Sequence, residues 1–193
     1  MALITKDDLK TELGLSSSDT TWDTLLTTLA GAVQDLFEKL TDRQVEKATF
    51  TEYFNSDGYT NTILLSNYPV IEGSVTVWDD PDWDFTDDDK IDSDDYTIDY
   101  GRGIIYYDGW FYKGFRSIKV QYQAGYDTDT LPDSWKQVWV RQACHWFHDA
   151  KNKEWALQSV SQPRGGTVTH KNLVDNLLPD FALLVQVEKR CGY

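Results

Sequence analysis

Apolar residues recur every three to four positions at both ends of this chain and every second position in its middle. The first period predicts helices that bury one face. The second predicts strands of a sheet with one buried side. Thr5-Lys6-Asp7-Asp8 has the form of a capping box, with Thr5 at the N-cap and Asp8 in place of the usual Glu. The helix it opens is short: Leu9 and Leu13 share a face, and Gly14 supplies the stop. Ser16-Ser17-Ser18-Asp19 reads as a polar linker and a second N-cap. A longer helix is predicted over about 20–40, with Trp22, Leu25, Leu26, Leu29, Val33, Leu36, Phe37 and Leu40 at helical spacing. Ala30-Gly31-Ala32 makes a small-residue patch on it that permits close approach of another helix.

From about 46 the period changes. Thr49, Thr51 and Tyr53 alternate with Phe50, Glu52 and Phe54, and Asn55-Ser56-Asp57-Gly58 is a strong turn signal. Thr62–Leu65, Ser74–Trp78, Tyr96–Tyr100, Ile104–Tyr107 and Ser117–Tyr126 read as further strands separated by turns. An acidic stretch at 79–95 interrupts them. Strands at this spacing suggest an antiparallel sandwich or small barrel. Leu131-Pro132-Asp133 opens another helix that runs to about 151, with Trp135, Val138, Trp139, Gln142, Ala143, Trp146 and Phe147 on its broad apolar face. Residues 156–170 read as a flexible loop or arm, and a final short helix carries Phe181 and Leu183-Leu184-Val185 and ends in Lys189-Arg190.

The fold class expected is therefore α+β: a helical scaffold with a central antiparallel β insertion. The divisions are 1–45, N-terminal helices; 46–126, the β domain with its acidic loop; and 127–193, C-terminal helices and the arm.

Composition sharpens this picture. At 193 residues, 40% hydrophobic and 14% aromatic, the chain has material for a core. No apolar run has the length of a membrane span, and the start lacks a basic-then-apolar leader pattern. No membrane partner is expected, and assembly in a cytoplasm is. Cys144 sits in an apolar helical pattern and Cys191 in a polar tail, so no disulfide framework is expected. The formal net charge of −14 repels phosphates and disfavours gripping a duplex. It suits a surface that DNA must pass without sticking.

Candidate chemistry is sparse. The acidic loop offers carboxylates for Ca²⁺, but Asp87-Asp88-Asp89-Lys90-Ile91-Asp92 lacks the spacing, glycine and terminal Glu of an EF-hand. A solvated, mobile loop is the favoured reading, and Trp83, Phe85 and Ile91 are apolar residues that would anchor it to a neighbour. His145 and His148 share a helix face beside Cys144 and Asp149, yet no His-Glu-x-x-His pattern accompanies them, so helix packing is preferred to a metal pair. Nucleotide-binding and nucleophile-elbow motifs are absent from the sequence. No catalytic residue, metal ligand or cofactor is assigned, and the chain is not expected to be an enzyme. Trp110, Phe111 and Tyr112 are three successive aromatics that cannot all face one core, so at least one is expected at a partner or in solvent.

Several segments, in order, resemble tailed-phage head-tail connector proteins, the adaptors that dock under a portal. They are Leu3–Lys10 with the long helix ending Glu38-Lys39-Leu40-Thr41-Asp42-Arg43; Thr51–Gly58; Leu64–Ile71; Tyr96–Tyr100 with Gly103–Tyr106; and Val120–Tyr126 with Leu131-Pro132. The resemblance implies a structural virion protein: a head-completion ring, usually of twelve copies, between portal and tail or stopper. DNA passes through its channel without sequence-specific binding. It implies a portal protein, stopper or tail proteins and further copies of the chain as partners. The C-terminal helix, through Leu183, Leu184, Val185, Lys189 and Arg190, is the segment expected to meet the portal or a neighbouring subunit. The acidic loop departs from compact helical members of the family. The alternative is a Ca²⁺- or glycan-binding β module of a virion or surface attachment protein.

Overall fold

The computed structural model describes residues 2–152, 157–159, 169–170 and 176–189. The chain divides into two compact units, one made of 1–42 with 128–193 and the other of 43–127.

The first unit is helical. Helix α1 (Lys6–Glu12) starts at the capping box read from the sequence: the Thr5 hydroxyl accepts from the Asp8 N–H, and the Asp8 carboxylate accepts from the Thr5 N–H. It stops where Gly14 turns to φ +66°, and the Leu15 N–H closes back on the Lys10 carbonyl. Helix α2 (Asp23–Thr41) begins later than the polar linker suggests. Its N-cap is Trp22, with no side-chain capping bond. The Asp19 carboxylate is already engaged, accepting the Thr21 N–H in a local turn at 2.9 Å, so it caps a turn and not the helix. Helix α3 (Asp133–Asn152) buries Trp135, Trp139, Ala143 and Phe147 on one stripe, and α4 (Pro179–Glu188) buries Phe181. Phe37 of α2 lies at the centre of the unit, its ring 5.2 Å from Trp135, 5.0 Å from Trp139 and 6.1 Å from Phe181. Short strands β7 (Leu157–Ser159) and β8 (Thr169–His170) pair antiparallel within the stretch read as an arm. The rest of that arm, with Cys191 and Arg190, lies outside the described residues.

The second unit is two antiparallel three-stranded sheets sharing one core. One sheet has the order β1 (Ala48–Ser56), β6 (Gly114–Ala124), β3 (Thr76–Asp79). The other has the order β2 (Thr62–Leu64), β5 (Ile104–Tyr107), β4 (Tyr96–Asp99). Ile63, Leu65, Val77, Ile105, Ile118 and Val120 fill the core. Tyr122 is fully buried among them: its hydroxyl donates to Glu52 and accepts from the Asn67 N–H at 3.2 Å. Burial and the Glu52 carboxylate both push its phenol well above the ordinary tyrosine range. The α+β architecture expected from the periodicities is the one observed.

Candidate functional site

Candidate functional residues lie in both units. In the helical unit the notable element is α4. Pro179 sits in its first turn, and Phe181 points into the core with no exposed area. Leu184 and Val185 are half-buried, whereas Leu183 and Val187, four residues apart, are 60% and 71% exposed. A helix apolar on its inner and outer sides is a helix with a second surface to cover. Lys189 is exposed at its end, with its N–H bonded to the Val185 carbonyl. Fully buried Gln142 of α3 holds the approach to α4 from both sides: its amide donates to the Asn176 carbonyl at 3.1 Å, and its oxygen accepts the Leu178 N–H at 2.7 Å. The Trp146 indole donates to the same Asn176 carbonyl, and His145 Nε2 is 3.1 Å from the Asn176 side-chain oxygen. His145 thus has a structural partner, and His148 is exposed. Cys144 is buried and its thiol is pushed up to about 11, chiefly by burial, which leaves it unreactive at neutral pH.

In the β unit the acidic loop is built, not loose. Asp80 is only 3% exposed; its two carboxylate oxygens accept the N–H groups of Asp82 and Phe85, and its own N–H donates to the Ser117 carbonyl. Those bonds hold the Asp80 carboxyl below the usual range. Turns of 3₁₀ helix follow at Asp87–Asp89, capped by Thr86, and at Ser93–Asp95. The aspartates themselves are mostly exposed, so the expectation of a solvated loop describes the side chains and not the backbone. Asp80, Asp84 and Asp89 bring carboxylate oxygens within 4.8 Å of one another. The Asp84 carboxyl is raised, chiefly by its hydrogen bond with Asp80 and then by burial.

Asp79 is different. Burial pushes its carboxyl up to about 6, with the neighbouring Asp80 charge adding, while the Tyr112 N–H, donating to Asp79 Oδ2 at 2.8 Å, holds it partly down. Its Oδ1 is buried without a hydrogen bond. A folded-state pKa above the unfolded value favours the native state at low pH. The contribution is fully present below the ordinary value of 3.8 and is lost as pH rises through about 6. Asp79→Asn is therefore expected to gain about 1–2 kcal/mol relative to the wild-type chain between pH 4 and pH 8, after allowance for partial exposure. Urea denaturation of both proteins at the two pH values measures it. A difference independent of pH would remove Asp79 as the source.

The three successive aromatics divide as their geometry requires. Phe111 is buried against Tyr107 at 4.8 Å, whereas Trp110 and Tyr112 are 62% and 66% exposed. The latter do not stand alone. Tyr53, Tyr59, Trp83 and Phe115 are also exposed. Tyr59 and Trp110 make an edge contact at 6.5 Å, Phe85 is 5.7 Å from Tyr53, and the Trp83 indole donates to the Phe115 carbonyl at 2.8 Å. Tyr53, Tyr59, Phe115 and Arg116 carry no signal in the sequence that separates them from core positions. Alternation along β6 loses phase at its start, where Ser117 and Ile118 are both buried and Arg116 has φ +54°.

No family model and no curated protein matches the chain. Among solved structures it is similar to a chain in the neck of an empty gene transfer agent (GTA) particle computed with C6 symmetry, at 13% identity and TM-score 0.60 over 99% of this chain and 91% of that one. It is also similar to a chain in the virion of a native GTA particle, at 14% identity and TM-score 0.59 over 97% and 88%. A chain in the neck of the native particle computed with C12 symmetry aligns at 14% identity and TM-score 0.55 over 98% and 93%. At these identities the likeness establishes a shared fold that spans both units.

Proposed function

We propose that the chain is a structural protein of a phage-like virion neck, an adaptor whose copies form a ring between portal and tail or stopper. The observation that carries this reading is the fold shared end to end with chains of a virion and of particle necks. The ordered series of connector-like segments in the sequence supports it independently. The composition agrees: a chain with net charge −14 offers DNA a repulsive wall, and passage without sticking is what a channel demands. In this reading the exposed side of α4, Leu183 and Val187, with Lys189 beyond it, docks on the portal or on the next subunit. Twelve copies is the expected number.

Mixing the chain with the portal ring of the same particle and imaging the product tests this. A ring of adaptor subunits on the portal is the expected result, and a chain that stays monomeric and unbound beside assembled portals overturns it. Leu183→Asp with Val187→Asp is expected to reduce portal or subunit binding at least tenfold with the melting temperature unchanged, because both side chains are already in water. Full binding by the double variant would move the docking surface off α4. For the alternative of a Ca²⁺- or glycan-binding module, the readout is a rise in melting temperature with millimolar Ca²⁺ in a monomer that ignores the portal.

A further inference from the structure

One end of the β unit gathers most of its exposed aromatic surface. The register places the C-terminal end of β1, the N-terminal end of β6 and the C-terminal end of β3 together: Ser56 pairs with Gly114, and Phe54 and Asp79 both stand opposite Ile118. The turn after β1, the loop after β3 and the bend before β6 therefore emerge at the same edge. These segments and the strand ends beside them carry Tyr53, Tyr59, Trp83, Trp110, Tyr112 and Phe115, exposed by 39–79%. Within this tip lies a cavity of about 270 Å³ lined by Tyr53, Trp83, Phe85, Phe115 and Arg116.

The backbone around the cavity is held against its own preference. Trp83 has φ +70°, Phe85 φ +46° and Arg116 φ +54°. Bulky side chains in the left-handed region are unusual, and such strain persists only where surrounding bonds over-determine it, typically at functional sites. The restraints are present. Buried Asp80 fixes the Phe85 N–H, Asn55 accepts the Arg116 N–H at 2.8 Å, and the Trp83 indole is tied to the Phe115 carbonyl. The cup is thus formed in advance of any occupant.

Its polar groups are few. The only indole donor is used internally, and the Arg116 guanidinium lies 4.5 Å over the Tyr53 ring. Lys119 sits between the rings of Trp78 and Phe85, at 4.4 and 5.3 Å. A sugar entering the cup would find few partners for its hydroxyls, while an apolar side chain would lose nothing there. Outside the cup the charge is acidic. Asp82 and Asp84 flank Trp83 and are exposed, as are Asp87 and Asp88. Residues 43–127 hold seventeen Asp and Glu against seven Lys and Arg. A second copy presenting the same tip would meet like charge, and so would nucleic acid or an anionic lipid.

We propose that this tip docks a segment of another protein that inserts an aliphatic or proline side chain into the cup and flanks it with lysine or arginine facing the aspartates. The proposal deepens the reading of the chain as an assembly part and rests on it only in expecting a protein partner. Its test does not use the portal or the ring, so either reading can fail alone.

The test is to pan a displayed library of random twelve-residue peptides against the full chain, after depletion on Trp83→Asn. Asparagine tolerates positive φ, so the variant removes the ring without adding backbone strain. Enriched peptides are expected to share an apolar residue between basic ones. Their affinity is expected to fall at least tenfold on Trp83→Asn and on Phe115→Ser. It is expected to fall at least threefold, with weaker salt dependence, on Asp82→Asn with Asp84→Asn. If an aromatic variant fails to fold by its melting curve, the Asn pair, which changes none of the side chains lining the cup, carries the decision. Three results overturn the proposal: no enrichment above the depleted background, peptides without basic residues, or binding indifferent to these variants. So does maltohexaose or cellohexaose binding that Trp83→Asn abolishes, or a dimer that the same variant dissolves.

Discussion

Gly125→Ala is expected to destabilise the β unit by about 3 kcal/mol or more, enough to lower its folded-to-unfolded ratio over a hundredfold. Two costs add. Gly125 has φ +101°, where an L side chain is strained. A methyl group there would stand 2.6 Å from the Val45 carbonyl oxygen and 2.9 Å from the Glu46 carbonyl, and all of these atoms are backbone. Backbone cannot swing aside as a lysine tip can. The atoms in the way also belong to the junction that closes the unit. The Tyr126 N–H donates to the Val45 carbonyl, the Lys47 N–H to the Tyr126 carbonyl, and the Gly125 N–H to the Pro69 carbonyl. Moving any of them sacrifices a backbone bond. Gly31→Ala is the control. It lies in the interior of α2 with nothing within 4 Å of an added methyl, and is expected to stabilise by about 0.5–1 kcal/mol. Chemical denaturation followed by circular dichroism measures both. If Gly125→Ala unfolds at the wild-type midpoint, the close approach is not what the glycine is for.

Gly125 also marks the border of what the sequence discloses. Its neighbourhood, Val120–Tyr126, is legible as a strand because apolar side chains alternate, and the glycine is legible as a bend. That it admits the carbonyls of Val45 and Glu46, about eighty residues away, depends on pairing that no local pattern encodes. The helices α2 and α3 were open to reading for the opposite reason, since their signal repeats over five turns and each repeat reinforces the last. The start of α2 was not. Asp19 looks like a cap by residue type, but its carboxylate has a closer customer in the Thr21 N–H.

The acidic loop shows the same limit more sharply. Ten aspartates within 79–95 read as one solvated class. Three of them have separate structural roles. Asp80 is a buried acceptor that organises the backbone, Asp84 is its hydrogen-bonded neighbour, and Asp79 is a half-buried carboxyl pushed up to about 6. Composition cannot sort them, because their differences come from strand β6 and the 110–116 segment packing beside the loop. The aromatic tip is hidden in sequence likewise. Its members lie at 53–59, 83–85 and 110–116, and only the pairing of β1 and β3 with β6 brings them to one edge.

Gln142→Ala is expected to cost about 2–3 kcal/mol in the helical unit and to loosen α4 selectively. The side chain is fully buried on a face otherwise made of Trp135, Trp139, Ala143 and Phe147, where a polar residue is costly unless both ends are bonded. Both are, to Asn176 and Leu178, the residues that lead into α4. Truncation leaves the Leu178 N–H without this acceptor, whereas the Asn176 carbonyl keeps the Trp146 indole. The loss is thus directed at the first turn of α4, next to Phe181. Hydrogen exchange over 178–188 is expected to quicken more than exchange within α1 and α2. If α4 carries the docking surface, portal binding weakens in parallel even though Leu183 and Val187 are untouched. Uniform quickening across the unit would instead assign Gln142 to general packing. The contrast with the Leu183 and Val187 variant separates holding the helix in place from using its outer side.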